Sequence, residues 1–77
     1  MQLSEMRVGQ VGRISKINSP KNFYRQRLLS LGLLPGTEFS VIRIAPLGDP
    51  VEIAVRGFAL ILRKNEANIL DIEPVFV

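Results

Sequence analysis

The chain has 77 residues, ten Lys/Arg against seven Asp/Glu for a formal net charge of +3, and neither cysteine nor histidine. That length holds one core, so a single domain over residues 1–77 is expected, and no disulfide or thiolate zinc site can staple it. Without histidine no side chain titrates near neutrality to act as a general base, and no catalytic triad can be built, which argues against an enzyme.

The opening MQLSEMRVGQ carries Glu5 and Arg7 and no apolar run, so it does not read as a signal peptide. Val8 to Ile17, VGQVGRISKI, mixes β-branched and polar residues in partial alternation and predicts a strand. Gly9 and Gly12 inside it suggest a bend or bulge where the strand curves round a small barrel. Ser19 and Pro20 then read as the N-cap and first position of a helix, since proline's missing N–H would be unpaired there anyway. The helix is expected to run to about Leu31 and stop at Gly32, the residue suited to a left-handed C-terminal position. At 100° per residue Tyr24, Leu28 and Leu31 share one stripe, the natural core face, while Leu29 lies beside Arg25 well off it.

Leu33-Leu34-Pro35-Gly36 places proline and glycine at the centre of a type II turn that re-enters a sheet. The stretch RLLSLGLLPG thus reads as a helix end followed by a turn. The chain's longest uncharged run, residues 28–37, is ten residues and contains Pro35, far short of the ~20 apolar residues needed to span a bilayer. A soluble protein is expected. Nor is RLLSLGLLPG a phosphate loop, because no Lys-Ser/Thr follows the second glycine.

Glu38 to Ala45 predicts a second strand, closed by the loop Pro46-Leu47-Gly48-Asp49-Pro50. Val51, Ile53 and Val55 alternate with Glu52, Ala54 and Arg56 as in a half-buried strand. Arg56-Gly57 forms a two-residue turn into Phe58–Leu62, where Phe58, Leu60 and Leu62 share a face. A helical turn over Asn65–Asn68 precedes a last strand, Ile69 to Glu73, with Leu70 and Ile72 inward. Five short strands, one helix after the first and a helical turn before the last favour a small, partly open SH3-like β-barrel, whose closure hides its strand edges.

The acids form no close-spaced trio for calcium, and a transition metal would lack its usual imidazole or thiolate, so neither a metal site nor a cofactor is expected. The charge is uneven. Residues 1–43 carry seven Lys/Arg against two Glu, a net +5, and residues 44–77 carry three against five acids, a net −2. A basic half favours an acidic partner surface, anionic lipid or nucleic acid, although scattered charge also serves plain solubility.

In order, RLLSLGLLPG, a strand, APLGDP, VEIAV, GFALILRKNEA and ILDI resemble FeoA, the small cytoplasmic partner of the ferrous-iron transporter FeoB. The likeness runs from about Leu3 to Ile72. It implies an SH3-like fold, no catalysis, and an accessory role in Fe(II) uptake through contact with the cytoplasmic part of FeoB, whose cytoplasmic domain binds GTP. It also implies a cytoplasmic protein, recruited to the membrane only through its partner.

The expected contact is an apolar, positively rimmed patch of Arg25, Leu29, Leu33 and Leu34 beside the helix. The alternative is that these leucines only hold the helix on the barrel, and at least one of Leu33 and Leu34 must bury in so small a core. Leu28 and Leu31 are assigned to the core. A second class of function, a small basic nucleic-acid-binding barrel, would stack bases on Phe23 and Tyr24. It fits less well, since most of the five aromatics suit core positions and the arginines are not interleaved with exposed rings. A third is a self-associating adaptor whose patch is met by a second copy.

Overall fold

The computed structural model describes residues 1–18 and 22–76, with side chains throughout except at residues 22–24. A short 3-10 turn, Leu3–Glu5, precedes β1 (Val11–Ile17), α1 (Asn22–Ser30), β2 (Glu38–Ile44), β3 (Val51–Val55), β4 (Phe58–Leu62), α2 (Lys64–Ala67) and β5 (Leu70–Val75). The expected helix start at Ser19-Pro20 lies outside the described residues.

The strands form one antiparallel sheet in the order β4-β3-β2-β1-β5. Strands β1 to β4 meander, and β5 returns to the far side of β1, the SH3-like arrangement. α1 is inserted between β1 and β2.

Two β-bulges roll the sheet. β1 pairs with β5 as Ile14↔Ile72 and then Lys16↔Asp71, which leaves Ser15 extra. β2 pairs with β3 as Val41↔Ile53 and then Arg43↔Glu52, which leaves Ile42 extra. An extra residue adds twist and shifts the phase of the side chains. Ile14 and Ile17 can therefore both be buried although they are three residues apart. Val41 and Ile44 behave alike, one buried and the other packed against the core.

The bend expected at Gly9 and Gly12 is thus made elsewhere. Gly9 sits in the turn before β1 with φ +91°, where its N–H donates to Val41 O at 2.8 Å. Gly12 answers a packing constraint. A Cβ there would lie 2.8 Å from Ile72 Cγ2 and 3.1 Å from both Met6 Cε and Phe39 Cζ. Three elements close over that point, and only glycine leaves room.

The core runs from Leu3 and Met6 through Ile14, Phe39 and Ile53 to Leu62 and Ile72. Val51, Ile53 and Val55 are all inward, as their alternation predicts. Along β4 burial fades instead: Leu62 is buried, Leu60 half-buried, and Phe58 48% exposed. Phe58 is next to the two-residue Arg56-Gly57 turn, whose φ values of +50° and +87° are those of a tight hairpin. The strand leaves the core as it nears that tip. Leu31, assigned to the core from its stripe, is only half-buried, packing against the core from its edge at the last turn of the helix.

Candidate functional site

The corner where α1 turns into β2 is built by its backbone. Leu33 N donates to Leu28 O and Gly32 N to Leu29 O, both at 3.0 Å. Gly32 adopts φ +87°. This is the paired-bond helix stop that a left-handed glycine allows, and it brings the residue after the glycine against the one four before it. Leu28 and Leu33 are accordingly both 0% exposed. Thr37 N then donates to Leu34 O at 3.0 Å across Pro35-Gly36, with Gly36 at φ +93°, which is the type II turn. The turn is laced to β1 by Ile14 N to Thr37 O at 2.9 Å and Gly36 N to Ile14 O at 2.6 Å. Buried Thr37 accepts from Leu34 N through Oγ1 at 3.2 Å.

On this rigid corner the four expected contact residues separate. Leu33 cannot contribute, because the helix stop that positions it also buries it completely. Leu34, one residue on, is 44% exposed. Leu29 is half-buried and packs against the core from its edge. Arg25 is exposed, with its guanidinium reaching Ile17 O at 3.4 Å. Of the four, Arg25 and Leu34 are exposed, Leu29 is half-buried and Leu33 is sealed.

The helix is tied to the rest of the molecule by charge as well. Arg27 pairs through Nε with Glu66 on α2. Glu66 is buried, and its other oxygen accepts from Arg63 N at 3.0 Å, which closes the start of α2. A buried carboxylate is tolerable only when both oxygens are met, and here both are.

Two further surface features were not anticipated. A groove of about 320 Å³ lies between the β2–β3 loop and α2, lined by Ser4, Leu47, Asp49, Val51, Leu62 and Lys64. Lys64 N donates to Asp49 Oδ1 at 2.9 Å across it. The Pro/Gly-rich loop carrying Leu47 was the signal available for it. The second is the open side of β4, where Phe58 and Ile61 are exposed.

The aromatic residues depart from expectation. Phe39 is buried, whereas Phe58 and Phe76 are exposed at opposite edges of the sheet. They form no common stacking platform. The side chains of Phe23 and Tyr24 lie outside the description. Among the described residues no three acidic side chains gather as a metal site would require, and no helix is long and apolar enough to cross a membrane.

A sequence profile of the FeoA domain matches residues 1–74. The chain is 30% identical over 75 residues to an Fe(2+) transport protein A/Fe(2+) transporter FeoB fusion protein of Porphyromonas gingivalis. That match takes in 97% of this chain but 9% of the fusion protein. Among solved structures, the FeoA protein of Chlorobium tepidum is 36% identical, with a TM-score of 0.84 over 99% of this chain and 71% of its own. A FeoA-like protein of Clostridium acetobutylicum is 30% identical, with a TM-score of 0.88 over 100% of this chain and 88% of its own.

Proposed function

Because this chain belongs to the FeoA family, we propose that it is a non-catalytic accessory protein of Fe(II) uptake, acting by contact with the cytoplasmic part of a FeoB transporter. The observation that carries this reading is the fusion: in Porphyromonas gingivalis a relative of this chain occupies the same polypeptide as FeoB. A shared chain holds two modules at high effective concentration, which is useful when they meet. The absence of histidine and cysteine from the sequence supports a role through shape rather than through reaction.

The contact is assigned to Arg25, Leu29 and Leu34. Leu34 supplies exposed apolar area on a turn fixed by hydrogen bonds to β1. Arg25 supplies charge, and Leu29 joins the surface to the core. A rigid apolar centre with a charged rim suits a protein interface, because little order is lost on docking. Such a protein reaches the inner face of the membrane only through its partner.

The test is capture of FeoB from detergent-solubilised membranes by the purified protein, with and without guanine nucleotide. Leu34→Gln should leave stability within about 0.5 kcal/mol, as exposed substitutions do, and should abolish capture. Leu29→Gln should also abolish capture, at a stability cost of ~1 kcal/mol for its half-buried side chain. Full capture by a folded Leu34→Gln variant would overturn this assignment of the contact.

A further inference from the structure

We propose that the free edge of β4 is a second interaction surface, which receives an extended apolar strand with acidic ends from a partner protein. This surface is separate from the Arg25, Leu29 and Leu34 corner and does not depend on it.

The backbone makes the first argument. The two-residue Arg56-Gly57 turn sets Val55 opposite Phe58 as a hydrogen-bonded pair. The antiparallel alternation then makes Ile53↔Leu60 and Val51↔Leu62 bonded pairs as well. Ala59 and Ile61 consequently aim their N–H and C=O groups away from β3. β4 is last in the sheet, and no backbone group among the described residues meets them. What satisfies a row of ladder groups is another strand.

The second argument is that the opposite edge is closed and this one is not. On β5 the outward N–H of Ile72 donates to Met1 O at 2.8 Å. Two residues on, the same outward position is Pro74, which has no N–H. β4 has neither device. Its five residues FALIL hold no charge, proline or bulge, and Phe58 and Ile61 are 48% and 57% exposed. Proteins normally blunt such edges.

Charge decides the occupant. Arg56 flanks β4 at one end, and Arg63 and Lys64 at the other, all exposed. Asp49 offsets part of the second group, and Glu52, opposite Ile61 on β3, is already paired with Arg43 at 3.7 Å. A second copy paired antiparallel about Leu60, the register that uses both outward residues, would set Arg56 against the other copy's Lys64. Like charges oppose that pairing, while a strand with an acidic residue at each end meets cations at both.

The probe is a synthetic peptide of alternating valine and threonine with two aspartates at each end, beside the same peptide ended by lysines. The readout is amide hydrogen exchange in the full chain. At a concentration about ten times its Kd, the aspartate-ended peptide should slow exchange at Ala59 and Ile61 roughly tenfold. Added salt should weaken this, and the lysine-ended peptide should not reproduce it. Ala59→Pro removes one outward donor without breaking a β3 bond and should abolish protection. Ile61→Lys should do the same at unchanged melting temperature, which keeps the test intact if the proline variant fails to fold. Leu34→Gln should retain protection, so failure of the FeoB contact and failure of this proposal are distinguishable. No protection by the aspartate-ended peptide, equal protection by both peptides, protection centred on Leu34, or protection that grows with protein concentration alone would each overturn it.

Discussion

The two edges of the sheet differ in what the chain lays over them. At β5 the chain before β1 folds over the strand: Leu3 and Met6 are buried in the core, and Met1 lends its carbonyl to Ile72. At β4 nothing in the described structure returns, and the strand ends in an exposed hairpin tip. An edge held by core side chains carries part of the stability of the fold. An open edge carries little, and is free to serve recognition.

The largest effect should come from unlatching the closed edge. Leu3→Ala empties a fully buried position and should cost ~2–5 kcal/mol, read as a lower urea midpoint. It should also speed exchange of the Ile72 amide before global unfolding. If Ile72 stays protected, the latch does not close β5. Next is Gly12→Ala, whose methyl would press on Ile72, Met6 and Phe39 where β1, β5 and the latch converge. A cost of ~1–3 kcal/mol is expected, with m unchanged. Smallest is Pro74→Val, which restores an outward N–H and frees the unfolded chain, for a loss of about 0.4–1 kcal/mol. That amide should exchange as fast as those of Ala59 and Ile61. Slow exchange would mean that β5 has a partner beyond Met1, and the contrast between the edges would narrow.

The helix end was legible because its chemistry is local. Gly32, Pro35 and Gly36 each answer a backbone requirement that glycine or proline meets, and all three sit where expected. The alternation of Val51, Ile53 and Val55 was legible for the same reason, since a regular strand repeats every second residue. The bulges were not. Ile14 and Ile17, or Val41 and Ile44, break the period of two, and only pairing with a neighbour shows that one residue is extra. Gly12 looked like a bend because a glycine tolerates many conformations, while its role depends on three side chains distant in sequence. Leu3 and Met6 passed unnoticed because two apolar residues in a polar stretch carry little periodic signal.

The candidate contact surface was legible to the level of the segment and not of the residue. Helical geometry placed Leu29 off the core stripe, and it is half-buried. Leu33 and Leu34 are adjacent and chemically identical, yet one is sealed and the other exposed. The difference is made by the bond from Leu33 N to Leu28 O, which folds one leucine inward and leaves the next on the turn.

By itself the sequence determined the order of the five strands and two helices, the SH3-like class and the lack of histidine and cysteine, because these follow from local backbone preference and from which residue types are present. Tertiary structure alone decided which leucines face out, where the sheet bulges and which edge stays open. Those outcomes depend on what each strand meets across space, and no neighbour in sequence supplies that.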